Sequence, residues 1–386
     1  MPWKETCIMQ ERNKLIDAWL SREFNISELS RRFGVSRKTI YKWLSRFEQE
    51  GRVGLEDVSR APHTQANQTD FYRCETIIEL KHRFPNWGPV TLKDYLEREH
   101  PELTWPAAST IGRILKHAGL VKPKPKRKRY GVPPHTAPLA HADAANKVWS
   151  ADFKGQFKLG NGKVCYPLTL TDNYSRYLLA CKGLYGIRLS GVQPVYERLF
   201  REYGLPDAIR TDNGYPFAQV CLGGLSPLSI WLVKLGIVPE RIQAGCPQQN
   251  GRHERMHRTL KEAVVSPAAK NLSAQQRAFN RFRQEYNELR PHRSLSGQTP
   301  EHCYHASTKL YPDRLVGPEY QDEWEVRKVK YAGQIKLFGQ PIYISRQLIG
   351  EYVGLKPLGN DQWQLYFYKL PLGIVDERVG RVIRPT

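Results

Sequence analysis

Three acidic residues stand where distant parts of the chain could bring carboxylates together. Asp152 and Asp212 each come at the end of a strand-like run, and Glu254 lies near the start of a helix-like segment. Carboxylate oxygens are the ligands that hard divalent cations prefer. Taken singly, each acid could instead cap a strand end or form an ion pair. Convergence of all three would make a site for divalent cations.

The segment that carries Glu254 reads as a loop that turns into a helix. At 3.6 residues per turn, Glu254, Arg258 and Lys261 share one helix face, so one carboxylate heads a stripe of cations. A solvated amphipathic helix with an ordinary i,i+4 ion pair has the same pattern, and that interpretation stays open for Arg258 and Lys261.

Composition points to a polyanionic partner. The 386 residues include 59 Lys and Arg against 38 Asp and Glu, a formal net charge of +21. Nucleic acid is the first candidate for the partner of such a chain. No run reaches the length of a membrane-spanning helix and no signal-like segment opens the chain, so we expect a soluble, cytoplasmic protein without a membrane partner. The seven cysteines are scattered singly, which suggests neither a zinc site nor a disulfide framework.

Residues 1–55 are predicted to form a helix-turn-helix DNA-binding domain. We expect Ser27 to cap the second helix, Gly34 to end it and Ser36 to cap the third. The apolar residues of the third helix form its buried face. Its outward basic residues would contact DNA, and they are Arg37, Lys38, Lys42 and Arg46. A three-helix bundle with a merely solvated face is the alternative.

A second helical domain, residues 70–121, resembles another helix-turn-helix, although a helical spacer explains the pattern nearly as well. Its last helix exposes Arg113 and Lys116, which are predicted to bind DNA. Residues 122–146 form a proline-rich linker whose basic residues would contact phosphates. The predicted DNA-binding residues of this linker are Lys126, Arg127, Lys128 and Arg129.

From residue 147 the pattern changes to strands. Three strand-like runs at 148–157, 164–171 and 177–181 are followed by alternating helices and strands up to about 310. This order predicts a mixed α/β sheet flanked by helices. Residues 320–386 read as all-β, with five strand-like runs between 325 and 368, and we expect a small barrel-like domain that binds DNA or docks on its neighbour.

Three segments carry a resemblance to a known family. Residues 149–152, 211–214 and 247–254 resemble the three catalytic segments of the DDE transposases and retroviral integrases, most closely bacterial insertion-sequence transposases with helix-turn-helix domains. Residues 286–295 and Thr299-Pro300 are also similar to that family. The resemblance implies a ribonuclease-H-like fold, with Asp152 on the first strand, Asp212 after the fourth and Glu254 on a following helix.

The resemblance also implies a reaction. Asp152, Asp212 and Glu254 would hold two Mg²⁺ or Mn²⁺ ions, Asp152 bridging both, for cleavage and transfer of DNA strands. Arg258 and Lys261 would hold the DNA backbone of the element end near the metals. The partners would be double-stranded DNA, both element ends and target, and further copies of this chain. A catalytically silent DNA-binding repressor or domesticated relative is the alternative, and a nuclease acting on hybrids would leave the tandem helical domains unexplained.

One departure from the family pattern concerns spacing. Between Asp212 and Glu254 lie 41 residues, more than is usual in that family. We expect the extra length to form a surface insertion at residues 220–230, because this stretch contains Gly, Ser and Pro.

Overall fold

The computed structural model describes residues 7–57, 69–121, 139–219, 221–243 and 246–383, apart from the side chains of residues 247 and 248. The chain forms two compact units, Met1–Thr69 and Asp70–Thr386. Lys126, Arg127, Lys128 and Arg129 lie outside the described residues, so their predicted contacts with DNA stay predictions. Among the described residues, no helix is long and apolar enough to cross a membrane.

The first unit is a three-helix bundle, as the sequence predicts. Gly34 ends the second helix in the left-handed conformation (φ 63°), and the Ser36 side chain accepts from the Thr39 amide at the start of the third. The predicted cap of the second helix is wrong: Asn25, not Ser27, caps it, since Asn25 and Glu28 form a reciprocal capping box. The helices are α1 (Ile8–Leu20), α2 (Ile26–Phe33) and α3 (Arg37–Glu50).

The second unit opens with three more helices around a core that contains Ile77, Trp87, Leu92 and Ile111. Leu289, nearly two hundred residues further along the chain, packs against the same core. The helices are α4 (Phe71–Arg83), α5 (Pro89–Glu99) and α6 (Ala108–His117).

A mixed sheet forms the centre of the second unit. Its strands are β1 (Val148–Phe153), β2 (Phe157–Lys158), β3 (Val164–Asp172), β4 (Leu178–Leu184), β5 (Ala208–Thr211) and β6 (Val238–Arg241). β4, β3 and β1 run antiparallel to their neighbours, and β1, β5 and β6 run parallel, in the order β4-β3-β1-β5-β6 with β2 pairing the start of β3. This is the ribonuclease-H-like sheet that the resemblance implies. Asp212 follows the fifth strand rather than the fourth, because the short β2 was not expected.

Helices cover the sheet. Trp149 and Ile209 of the sheet pack with Tyr196 and Phe200 of α7 in one fully buried core. α9 continues into a π-helical turn at Lys261–Val265, and α10 into another at Glu285–Leu289. The helices are α7 (Leu189–Tyr203), α8 (Pro227–Lys234), α9 (Gly251–Leu260), α10 (Leu272–Gln284) and α11 (Pro300–Cys303).

The C-terminal region is all-β, as predicted, and has two strands more than the sequence indicated. A five-stranded sheet in the order β13-β12-β11-β10-β7 and a β8-β9 hairpin enclose one core. Closure into a barrel stays a prediction. The strands are β7 (Glu325–Lys328), β8 (Gln334–Leu337), β9 (Gln340–Tyr343), β10 (Tyr352–Gly359), β11 (Gln362–Phe367), β12 (Leu370–Asp376) and β13 (Arg381–Ile383).

The prediction that residues 220–230 form a surface insertion is wrong. Leu222, Leu225 and Ile230 are buried in the same hydrophobic core as the C-terminal strands. Lys234, at the end of α8, forms an ion pair of 2.7 Å with Glu351 of the C-terminal region. The extra residues between Asp212 and Glu254 therefore form the surface on which the C-terminal sheet docks, because apolar side chains outweigh the turn-forming residues among them.

Candidate active site

Two of the predicted acids lie side by side at one edge of the sheet. β1 and β5 run parallel, with Ser150 opposite Arg210. Asp152 and Asp212 each follow that pair by two residues, so both stand at the carboxyl ends of adjacent strands. Acids that the sequence separates by 59 residues are thus brought together by strand pairing.

An ion pair fixes the end of β5. Arg210 is 9% exposed, and its Nε donates to Oε2 of Glu240 on β6 at 2.6 Å. A second guanidinium nitrogen of Arg210 donates to the carbonyl of Ala140 at 2.8 Å, and the Ala140 amide donates to the other Glu240 oxygen at 2.6 Å. Glu240 is therefore committed to its partners and is not a fourth acid of the site.

A tight turn after β5 orients the carboxylate of Asp212. The Gly214 amide donates to Asp212 Oδ1 at 3.0 Å. A Cβ at position 214 would lie 3.1 Å from Asp212 Oδ2, which is closer than nine in ten ordinary contacts. Glycine follows the Asp-Asn pair because the carboxylate folds back against the backbone there.

Helix α9 presents Glu254 at the surface. One face of the helix is buried and carries His253, Met256, His257 and Leu260. Glu254 lies beside that face and is exposed. The predicted cations Arg258 and Lys261 are exposed on the same flank as Glu254, as their spacing requires.

A buried network joins α9 to the strand that carries Asp152. The Thr169 hydroxyl on β3 lies 3.0 Å from the Asp152 carbonyl oxygen and 2.7 Å from Nε2 of both His253 and His257. A carbonyl can only accept, so the single hydroxyl hydrogen goes to it, and both Nε2 atoms must donate to Thr169. Nδ1 of His253 then accepts from the Thr171 hydroxyl at 2.8 Å.

This proton arrangement determines what His257 offers to Asp152. Its Nδ1 carries a lone pair and lies 3.6 Å from Asp152 Oδ2. Burial lowers the pKa of His257 to about 2 and that of His253 to about 3. Both rings are therefore neutral at ordinary pH, so His257 and Asp152 are not an ion pair. The predicted site included neither histidine, although their i,i+4 spacing places them on one helix face.

The carboxyl group of Asp152 has a strongly altered acidity. Burial first, and then the nearby charges of Asp212 and Glu254, raise its pKa to about 7. The other two acids thus act on Asp152, and a divalent cation bound there would relieve this repulsion. In the described part of the chain, however, no group of three His, Cys, Asp or Glu side chains is already arranged to hold a metal ion. The donor chemistry fits a metal; the described arrangement is not a closed metal cage.

The predicted DNA-binding residues of the helical domains lie mostly at the surface. Arg37, Lys38 and Lys42 of α3 are exposed. Arg46 is half-buried, with its guanidinium 5.2 Å from the centre of the Trp43 ring. In the second helical domain, Arg113 and Lys116 of α6 are exposed, and Arg113 reaches Thr110 within its own helix at 3.4 Å.

Models of two domain types match the chain. Models described as "Integrase core domain" match residues 142–247 and 235–300. A "Helix-turn-helix domain" model matches residues 11–63, and a "Homeodomain-like domain" model matches residues 39–115. The first two ranges cover the sheet and α9, and the others fall on the two sets of three helices.

Similar proteins come from bacterial insertion elements. The 31.7 kDa protein of insertion element IS407 from Burkholderia multivorans is 32% identical over 225 residues, which is 58% of this chain and 77% of that protein. The 39.2 kDa protein of insertion element IS476 from Xanthomonas euvesicatoria is 27% identical, over 58% of this chain and 62% of its own length. Among solved structures, the catalytic core domain of HTLV-2 integrase in complex with magnesium is 15% identical, with a TM-score of 0.31, over 43% of this chain and all of that one.

Proposed function

This chain belongs to the family of bacterial insertion-element transposases with helix-turn-helix domains and an integrase core, and we propose that it cuts and joins DNA strands at the ends of its element. The observation that carries the proposal is the pairing of β1 with β5, which sets Asp152 beside Asp212. Glu254 is the third acid, and its charge acts on Asp152.

The carboxylates of Asp152, Asp212 and Glu254 would hold two Mg²⁺ or Mn²⁺ ions. Such ions lower the pKa of a bound water and stabilise the leaving oxygen of a phosphodiester. The residues of this chain keep the acids in place: Gly214 orients Asp212, and the Thr169 network holds α9 against β1. His257 turns an unprotonated nitrogen toward Asp152 and therefore gives that carboxylate no hydrogen bond, which leaves its oxygens available to a metal ion.

DNA binding would begin at the helical domains. Exposed cations on α3 and α6 suit the phosphates and base edges of double-stranded DNA, as the net charge of +21 suggests. Arg258 and Lys261 would hold the backbone of the element end on the Glu254 flank of α9. One chain supplies one set of acids, and two ends must be joined, so we propose that the chain acts on element ends and target DNA as a homo-oligomer in the bacterial cytoplasm.

Replacing one acid tests the proposed chemistry. Labelled element-end duplex is incubated with Mg²⁺ and either the unchanged chain or Asp212→Asn. We expect cleavage by the variant to fall at least about a hundredfold, because a lost metal ligand removes several kcal/mol of stabilisation of the reacting charge. Binding to the duplex, measured without metal by mobility shift, should be retained.

The control is Asp322→Asn, which removes an exposed carboxylate in the C-terminal region. It should cleave as the unchanged chain does. Cleavage that Asp212→Asn leaves intact would remove the assigned role. Binding without cleavage by the unchanged chain would favour the catalytically silent repressor. The observation behind that alternative is that, among the described residues, no three His, Cys, Asp or Glu side chains are already arranged to hold a metal ion.

A further inference from the structure

Five arginine side chains line a cavity beside α9. The cavity has a volume of about 210 Å³, and among the described residues that line it there is no Asp or Glu. Three of the arginines come from outside the predicted catalytic segments, in the turn before β4 and in the 286–295 segment, to which the catalytic proposal gives no role. The five are Arg176, Arg252, Arg255, Arg290 and Arg293.

The cavity and the acids lie on opposite flanks of one helix. Arg252 and Arg255 are three residues apart and fall to one side of the buried face of α9, whereas Glu254 and Arg258 fall to the other. A strand that contacts both flanks must cross the exposed side of the helix. The cavity is therefore separate from the place where the acids would act.

The positive charge in the cavity lacks a close acidic counterpart. No ion pair within the described residues includes any of the five arginines. Arg252 donates to the carbonyl of Asn173 at 2.9 Å, and Arg176 donates to the same carbonyl and, at 3.5 Å, to the Ser294 hydroxyl. Burial, and then the charge of Arg252, lower the pKa of Arg176 to about 10.

Acidic groups act on these arginines only from a distance. Asp172 acts on Arg176, and Asp94 acts on Arg293, without coming within ion-pair range. Glu285 and Glu262 act on Arg290 in the same way. An anion in the cavity would relieve the repulsion among the guanidinium groups. The planar fork of a guanidinium matches the oxygens of a phosphate, so phosphate is the anion that this set of side chains fits best.

We propose that the arginine cavity binds a backbone phosphate of the DNA substrate, about three nucleotides from the phosphate that is cut, and so holds the strand across α9. The spacing follows from a helix width of about 10 Å and a rise of about 3.4 Å per phosphate along one strand. The inference rests on the proposed function for the identity of the DNA, and its test needs no cleavage.

The test combines arginine variants with single neutral phosphates. The full chain binds element-end duplexes in which one phosphate at a time is replaced by a methylphosphonate, in buffer without metal. Arg255→Gln and Arg293→Gln are suitable because both side chains are exposed at the rim. Arg277→Gln, an exposed position on α10 that does not line the cavity, is the matched control.

We expect one methylphosphonate, two to four nucleotides from the cut, to weaken binding by the unchanged chain and by Arg277→Gln about three- to tenfold. In Arg255→Gln and Arg293→Gln the same replacement should have little further effect. If, at every position, the methylphosphonate weakens binding equally in all four proteins, the proposal is wrong. The experiment measures binding alone, so it tests the arginine cavity even if the chain binds DNA without cleaving it.

Inorganic phosphate provides a second measurement. At constant ionic strength, phosphate in place of chloride should raise the Tm of the unchanged chain and of Arg277→Gln more than that of the two cavity variants. Stabilisation by phosphate without any coupling to a DNA phosphate would show a site for free phosphate and overturn the assignment to DNA. Absence of both effects overturns the cavity as an anion site.

Discussion

The two sets of three helices share a sequence pattern but differ in how they are built into the molecule. α1–α3 surround a core of their own, with Leu29 and Ile40 fully buried. The core of α4–α6 instead includes Leu289 from the catalytic region. Trp87 also donates its indole hydrogen to Glu285 Oε1 at 3.0 Å, 198 residues away in sequence.

This difference separates a self-contained helical bundle from one that belongs to the same unit as the predicted catalytic acids. Docking uses Trp87 and Arg98, whose guanidinium reaches the Leu289 carbonyl at 3.3 Å, and it leaves Arg113 and Lys116 of α6 exposed. A helix-turn-helix pattern therefore specifies a local bundle without specifying its attachment. The following predictions test that contrast.

The largest effect is expected at the joint itself. Trp87→Ala should cost about 3–5 kcal/mol, because a fully buried indole that also donates a hydrogen bond is removed. Hydrogen exchange followed by mass spectrometry should rise both in α4–α6 and in α10 with its π-helical turn, 272–289. Exchange that rises in α4–α6 alone would contradict the shared core.

Leu29→Ala is the matched change in the first unit, and we expect it to cost about 2–4 kcal/mol. Leu29 is fully buried among residues of α1–α3. The rise in hydrogen exchange should be confined to residues 7–57. Spread of the effect into the catalytic region would show that the first unit is not self-contained.

A smaller effect is expected for single cations. Lys42→Gln on α3 and Lys116→Gln on α6 should each weaken DNA binding about three- to tenfold and lower the slope of affinity against salt by about one. Both lysines are exposed, so the folded state should be unaffected. If Lys116→Gln alone binds DNA with normal affinity, the second set of helices is a spacer rather than a DNA-binding domain.

The smallest effect is expected for Glu285→Gln, which keeps the acceptor for Trp87. Burial raises the pKa of Glu285 above its ordinary value. The folded state therefore holds the proton more tightly than the unfolded chain, so this group lowers stability as pH rises past 4.5. The variant should match the unchanged chain at pH 4 and exceed it at pH 8 by less than about 1 kcal/mol. Thermal unfolding at both pH values measures this difference, and Glu288→Gln, at an exposed neighbour, is the control variant.

Local features of the fold could be predicted from the sequence. The 164–171 strand, the glycine turn at Gly34 and the cap at Ser36 were predicted correctly, because turn geometry and side-chain period act within a few residues. The cap at Ser27 was wrong because the side chains of Asn25 and Glu28 each accept from the other's backbone amide, which fixes the start of the helix at Asn25.

Contacts between distant segments could not be predicted in this way. No local pattern indicates that Trp87 meets Glu285, or that Thr169 lies between two histidines and Asp152. The three acids were found through a family resemblance rather than through spacing. Their roles as metal ligands remain a prediction, as do the bounds of the five predicted segments of the chain.

Leu222 and Leu225 share a hydrophobic core with the C-terminal strands, and this core limits which rearrangements of the gene can give a folded protein. Leu372 Cδ2 would lie only 2.8 Å from a Cβ at Gly223, so the two surfaces fit closely. A gene rearrangement that exchanged the tail would also have to exchange a loop encoded between two of the acids. The C-terminal sheet and the catalytic segment must therefore diverge together, and a truncated descendant would expose an apolar surface prone to aggregation.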